Sequence, residues 1–160
     1  MSIIRFLTLL SLVLWVGGIA FLAFILAPTA FHPGVLPSRH LAGAVVGQSL
    51  NKLHWLAIAC GAVFLVTSMV ESRVVTGVIA PFAVRNLLVY LMIVLTLVSM
   101  FAISTRMFAL RNDMAVIDSV PLDDPRRVEF DRLHVWSTRI ESAVFLLGLV
   151  VIFSTARRLS

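Results

Sequence analysis

His134, Ser137 and Glu141 stand three and four residues apart in the stretch "FDRLHVWSTRIESAVFLLGL", Phe130 to Leu149. On a helix that spacing places an imidazole, a hydroxyl and a carboxylate on one face. Gln48, Asn51, His54 and Trp55 form a similar polar edge earlier in the chain. Imidazoles from two neighbouring helices can ligate a transition metal or the iron of a haem. A carboxylate beside them can accept a ring N–H and fix the imidazole's orientation. The stretch carrying Glu141 becomes wholly apolar in its second half. An ionisable group in such a helix is costly, so it faces the interior of a bundle or a wet cavity rather than lipid.

The elements that must position these groups are four apolar runs, at about 3–27, 49–70, 86–108 and 135–156. The chain of 160 residues is 60% hydrophobic and 13% charged, against about 25% charged residues in soluble domains. Its mean hydropathy of +1.03 agrees. Each run reaches the roughly 20 residues that a spanning helix needs. In lipid each run must be helical, because the solvent offers backbone groups no partner. The expected fold is all-α, an integral membrane antiparallel four-helix bundle forming a single domain over residues 1–160.

The first run is too long for the apolar core of a signal peptide and no small-x-small cleavage site follows it, so it reads as retained. It ends at "APTAFHPGVLP", where Pro28, Pro33, Gly34 and Pro37 stop or kink a helix. Ser38 has the chemistry of an N-cap for a second helix from Arg39. Asp123 or Asp124 caps a fourth helix with Pro125 at its first position. That helix would run about 30 residues and project roughly two turns beyond the bilayer.

Four spans put both termini on one side, here called side A, and the two longer links on side B. Side A holds Arg5, Arg73, Arg85, Arg157 and Arg158; side B holds Arg39, Lys52, Arg106, Arg111, Arg126, Arg127, Arg132 and Arg139. The count of five against eight favours side B in the cytoplasm, whereas Arg5 ahead of the dominant first span favours cytoplasmic termini, the orientation preferred here. The net charge of +5 suits lipid headgroups. Nucleic-acid binding is excluded as a class, since no soluble basic face with interleaved aromatics exists. Cys60 is alone, so there is neither a disulfide framework nor a Cys-based metal motif.

The topology brings all four histidines to side B, with His54 and His134 at similar depth on their helices and Arg106 at the end of helix three near them. The expected partner of Glu141 is Arg106 or His134. Two readings stand for the histidines. Interfacial His, Arg and Trp commonly anchor helix ends among headgroups. Alternatively His54 and His134 hold a metal or tetrapyrrole, Arg106 keeps them neutral, and Ser137, Glu141 and Asn51 complete the pocket. Glu141 reads equally as a structural ion pair or as a proton or cation site. His32 and His40, in a Pro-rich link, read as free loop residues. Gly17 and Gly18 on helix one, and Gly43 and Gly47 on helix two, read as surfaces for close helix packing. Tyr90 and Arg85 read as an interface anchor. No phosphate-binding loop, nucleophile elbow or zinc-protease motif occurs, and no catalytic residue is assigned.

"LWVGGIAFLAFILAPTAF", Arg85 and Arg106 bracketing helix three, and "FDRLHVWSTRIES" resemble the transmembrane protein 205-like family. These are small four-span proteins built on a domain of unknown function, distantly similar to CopD-type copper-resistance membrane domains. Trp15-x-Gly17-Gly18, Ala27-Pro28 and Leu133-His134-x-x-Ser137 are the sharpest elements. The resemblance implies a fold and a membrane location and supplies no reaction. Glu141 stands where that family suggests an Asn, and the six Met are scattered rather than clustered as Cu(I) would favour.

The function expected is a small polytopic membrane protein that binds a metal ion or small cofactor in a polar pocket at one membrane face. The alternative is an accessory subunit of a larger membrane complex, with other membrane proteins as partners and no ligand chemistry of its own.

Overall fold

A computed structural model describes residues 2–114 and 117–157, so Arg158, counted above on side A, lies outside the described residues. Among the described residues four helices are long and apolar enough to cross a membrane: α1 Ser2–Ala30, α2 Arg39–Thr76, α3 Val84–Met114 and α4 Pro125–Ala156. They form an antiparallel bundle, all-helical apart from its connections. Large apolar side chains such as Phe6, Val66, Phe101 and Phe153 point outward. That is the surface of an integral membrane protein in contact with lipid.

The helix boundaries follow local chemistry. Ser38 Oγ accepts the Leu41 N–H at 3.2 Å, satisfying one orphan donor of the first turn of α2. Asp124 accepts from the Arg126 N–H at 2.8 Å, and Pro125 opens α4 where its missing N–H costs nothing. Gly77 ends α2 in the left-handed region at φ 75, which an L side chain rarely adopts.

Two helices contain a wide π turn. In α1 it spans Leu22–Leu26, one turn ahead of Pro28. Proline lacks an N–H and clashes with the carbonyl four residues back, and the widened turn absorbs that misfit. In α3 it spans Ser99–Ser104, and Thr105 Oγ1 reaches back to the Met100 carbonyl at 3.2 Å.

The core lies at mid-bundle, where Leu12, Trp15, Phe64, Met92, Val144 and Val151 are almost wholly buried. Small residues let it close. A Cβ on Gly61 would meet Ile93 at 2.8 Å and Trp15 at 3.0 Å, and one on Gly148 would meet Val16 at 2.4 Å. Gly18 faces Leu53 on α2, whereas Gly17 has nothing within 4 Å and takes no part in packing. Toward side A the helices remain in contact. Toward side B they splay, and the end of α1 packs on α2 while the start of α4 packs on α3.

Candidate functional site

The splayed end encloses a cavity of about 1070 Å³. All four helices line it, and Glu141, Ser137, His134, Asn51 and Gln48 contribute polar groups to an otherwise apolar wall. Glu141 sits at its inner end. Glu141 Oε1 accepts from His54 Nε2 at 2.8 Å and from Ser99 Oγ at 3.0 Å. Its second oxygen, Oε2, takes no hydrogen bond from the described residues.

His54 and Ser99 are both fully buried and neither lines the cavity, whereas the Glu141 side chain keeps 16% of its surface. The imidazole and hydroxyl therefore stand behind the carboxylate and hold it, and the carboxylate faces the open space. With Nε2 donating to Glu141, Nδ1 of His54 is left buried and without a partner.

The structure thus unites His54 and Glu141, residues from two separate polar edges of the sequence. Ser99 completes the group from the first residue of the π turn in α3. Ser99 escaped the sequence reading because a serine in an apolar run carries no directional signal. Ser137 is buried and lines the cavity, and Asn51 lines it from a more exposed position.

His134 also lines the cavity but is exposed. It lies seven residues before Glu141, roughly 10 Å nearer the mouth along the helix axis. His54 is level with Glu141 rather than with His134. Among the described residues no three of His, Cys, Asp and Glu gather as a metal site would require.

Three expectations about partners are corrected. Arg106 does not pair with Glu141: its Nε and Nη2 hold Glu129 at 2.8 and 3.0 Å on the exposed surface, because one turn of α4 outside the cavity offers a carboxylate first. Gly43 and Gly47 receive no helix; a guanidinium, that of Arg111, lies against them. Arg85 is no interface anchor but is 94% buried, with Nη2 3.1 Å from Glu71 Oε2.

That last pair belongs to a second polar cluster, on side A, which the sequence reading missed. Glu71 takes Arg5 as well, at 3.3 Å. Beside it Ser68 donates to Asn86 Oδ1 at 2.7 Å, and Asn86 Nδ2 donates to the Ala80 carbonyl at 3.0 Å. Its signal was Glu71 itself, a carboxylate directly following the second apolar run.

A family profile described as "Domain of unknown function (DUF4149)" matches residues 10–115. The chain belongs to this family. The match covers most of α1 and all of α2 and α3 and stops before α4, so the residues that supply His54 and Ser99 lie inside it and Glu141 lies beyond it. No curated protein and no solved structure matches the chain.

Proposed function

We propose that this DUF4149 protein binds a small ligand in the side B cavity, with Glu141 as its principal contact. The observation that carries this reading is a carboxylate at the inner end of a cavity, held on one oxygen by His54 and Ser99 and free on the other. Oε2 suits a proton, a cation or a ligand hydrogen-bond donor. Intramembrane carboxylates are retained for such work, since their burial is costly. Ser137, Asn51 and His134 are proposed as further contacts along the wall, and His54 as the residue that positions Glu141.

Joint ligation of a metal or haem iron by His54 and His134 fits these residues poorly. His54 spends Nε2 on Glu141 and does not reach the cavity, and His134 sits two turns away. A kinship with transmembrane protein 205-like and copper-resistance membrane domains rests on the Trp15-x-Gly17-Gly18 and Leu133-His134-x-x-Ser137 motifs. The same reading puts the termini in the cytoplasm, which Arg5 at the start of the first span favours.

Native mass spectrometry with metal analysis, on protein extracted in mild detergent, tests the proposal. A bound small molecule or cation is expected on the wild type and lost in Glu141→Gln. A species retained equally by both overturns the role of Glu141. A stoichiometric protein partner without any ligand would instead support the accessory-subunit role.

A further inference from the structure

The outer end of the same cavity carries a cation that the described residues leave uncompensated. Arg111, near the end of α3, folds inward rather than out along the lipid face. A Cβ at position 43 would lie 2.7 Å from its Nη2, and one at position 47 would lie 3.5 Å from its Nη1. Gly43 therefore makes room for the guanidinium, Gly47 lies in ordinary contact with it, and it also rests over the Phe130 ring, 5.5 Å from its centroid.

Among the described residues no carboxylate pairs with Arg111, and its Nε is buried without a hydrogen-bond partner. Nδ1 of His40, at the start of α2, is buried and unpartnered too. Both residues line the cavity. The neighbouring arginines differ: Arg126 is held by Asp124 at 2.7 Å and Arg127 by Asp131 at 3.3 Å. Arg111 is half-buried, and desolvating even part of a charge without a counter-charge is costly. An arginine that served only as an anchor would extend to the interface.

Inward from this cationic end Leu22, Phe24, Phe108, Phe145 and Leu146 give the wall an apolar stretch beside the polar groups described above. A soluble anion would leave that wall uncovered; an amphiphile would cover it. Basic pockets between spanning helices are suited to anionic headgroups. We propose that Arg111 and His40 seat the phosphate headgroup of an anionic lipid, whose acyl chain lies along this apolar wall. The inference goes beyond the reading above: it stands on Arg111 and His40, whether or not Glu141 binds anything.

The test is native mass spectrometry of the full chain offered phosphatidylglycerol and phosphatidylcholine of matched chain length. Wild type is expected to retain phosphatidylglycerol with a roughly tenfold preference, the scale of one charge-assisted hydrogen bond. Arg111→Gln should abolish the preference. Gly43→Ala, which displaces the guanidinium, and His40→Ala should each weaken it several-fold, and they carry the test should Arg111→Gln fail to fold. Arg106→Gln, which removes an arginine outside the cavity, should leave it intact, whereas a small ligand retained equally by wild type and Glu141→Gln would overturn the preceding proposal alone. Equal retention of both lipids, an unchanged preference in Arg111→Gln, or displacement of the lipid by excess inorganic phosphate would overturn the proposal.

Discussion

At the end of the bundle that bears the termini, Glu71 receives both Arg5 and Arg85, and the neighbouring Ser68 and Asn86 satisfy one another. At the opposite end Glu141 and Arg111 line one cavity without pairing. Ser99, which touches Glu141, and Arg111 are twelve residues apart on α3, roughly 18 Å along the axis. Opposite charges that meet across helices fix the helices relative to each other. Opposite charges held apart within one space offer two ends to something else. The contrast separates a structural cluster from the one proposed to bind a ligand, although both contain a glutamate inside an apolar chain.

Glu71→Gln should have the largest effect. It leaves the buried Arg85 without its counter-charge, a loss of roughly 3–5 kcal/mol. Glu141→Gln should cost only about 1–2 kcal/mol, since an amide oxygen can still accept from Ser99 and the side chain is partly exposed to the cavity. Denaturation of both variants in the same detergent reads the order. If Glu141→Gln proves as damaging as Glu71→Gln, the distinction between the two ends collapses.

Glycines give a second, smaller measure. Gly148→Ala drives a Cβ against the stiff, branched Val16 and should cost about 1–3 kcal/mol. Gly43→Ala meets only the far end of an arginine beside open space, so its effect on stability should be well below that of Gly148→Ala. Equal losses in thermal unfolding would mean that the side B end is packed as tightly as the core.

The smallest effect lies outside the spans. The Arg126 side chain and backbone N–H lower the Asp124 carboxyl to about 2. Because the folded value lies below the unfolded one, the cap contributes fully above about pH 4 and is lost as pH falls towards 2. Circular dichroism should show fraying confined to the first turn of α4 over that window, and no such change in Asp124→Ala. Broad loss of helix instead would place the acid-sensitive group within the bundle.

The sequence disclosed the four spans, the start of α2 at Ser38 and that of α4 at Asp124–Pro125, because length, apolarity and cap chemistry are local properties. Which way a side chain turns was far less legible. In a membrane the bundle interior and its surroundings are both apolar, so the alternation that marks a buried face in water is weak. Arg85 and Arg111 look like ordinary helix-end arginines in the sequence, and only the fold turns them inward. Arg106 looked central and instead found Glu129, a partner on the extramembrane part of α4. The sequence marks His54 and Glu141 separately, but their direct bond crosses the bundle between α2 and α4, which are not neighbouring helices, so only the fold discloses it.

The π turn at Ser99–Ser104 sets an angular phase. In a regular α-helix of about 100° per residue, the twelve steps from Ser99 to Arg111 would leave the two roughly 120° apart around the axis. A π turn accommodates one extra residue without advancing the rotation, which brings that difference to about 20°. The hydroxyl that holds the carboxylate and the guanidinium at the mouth therefore lie on the same side of α3, the one behind the carboxylate and the other in the cavity wall. A single inserted residue in α3 decides whether the cavity has one charged end or two.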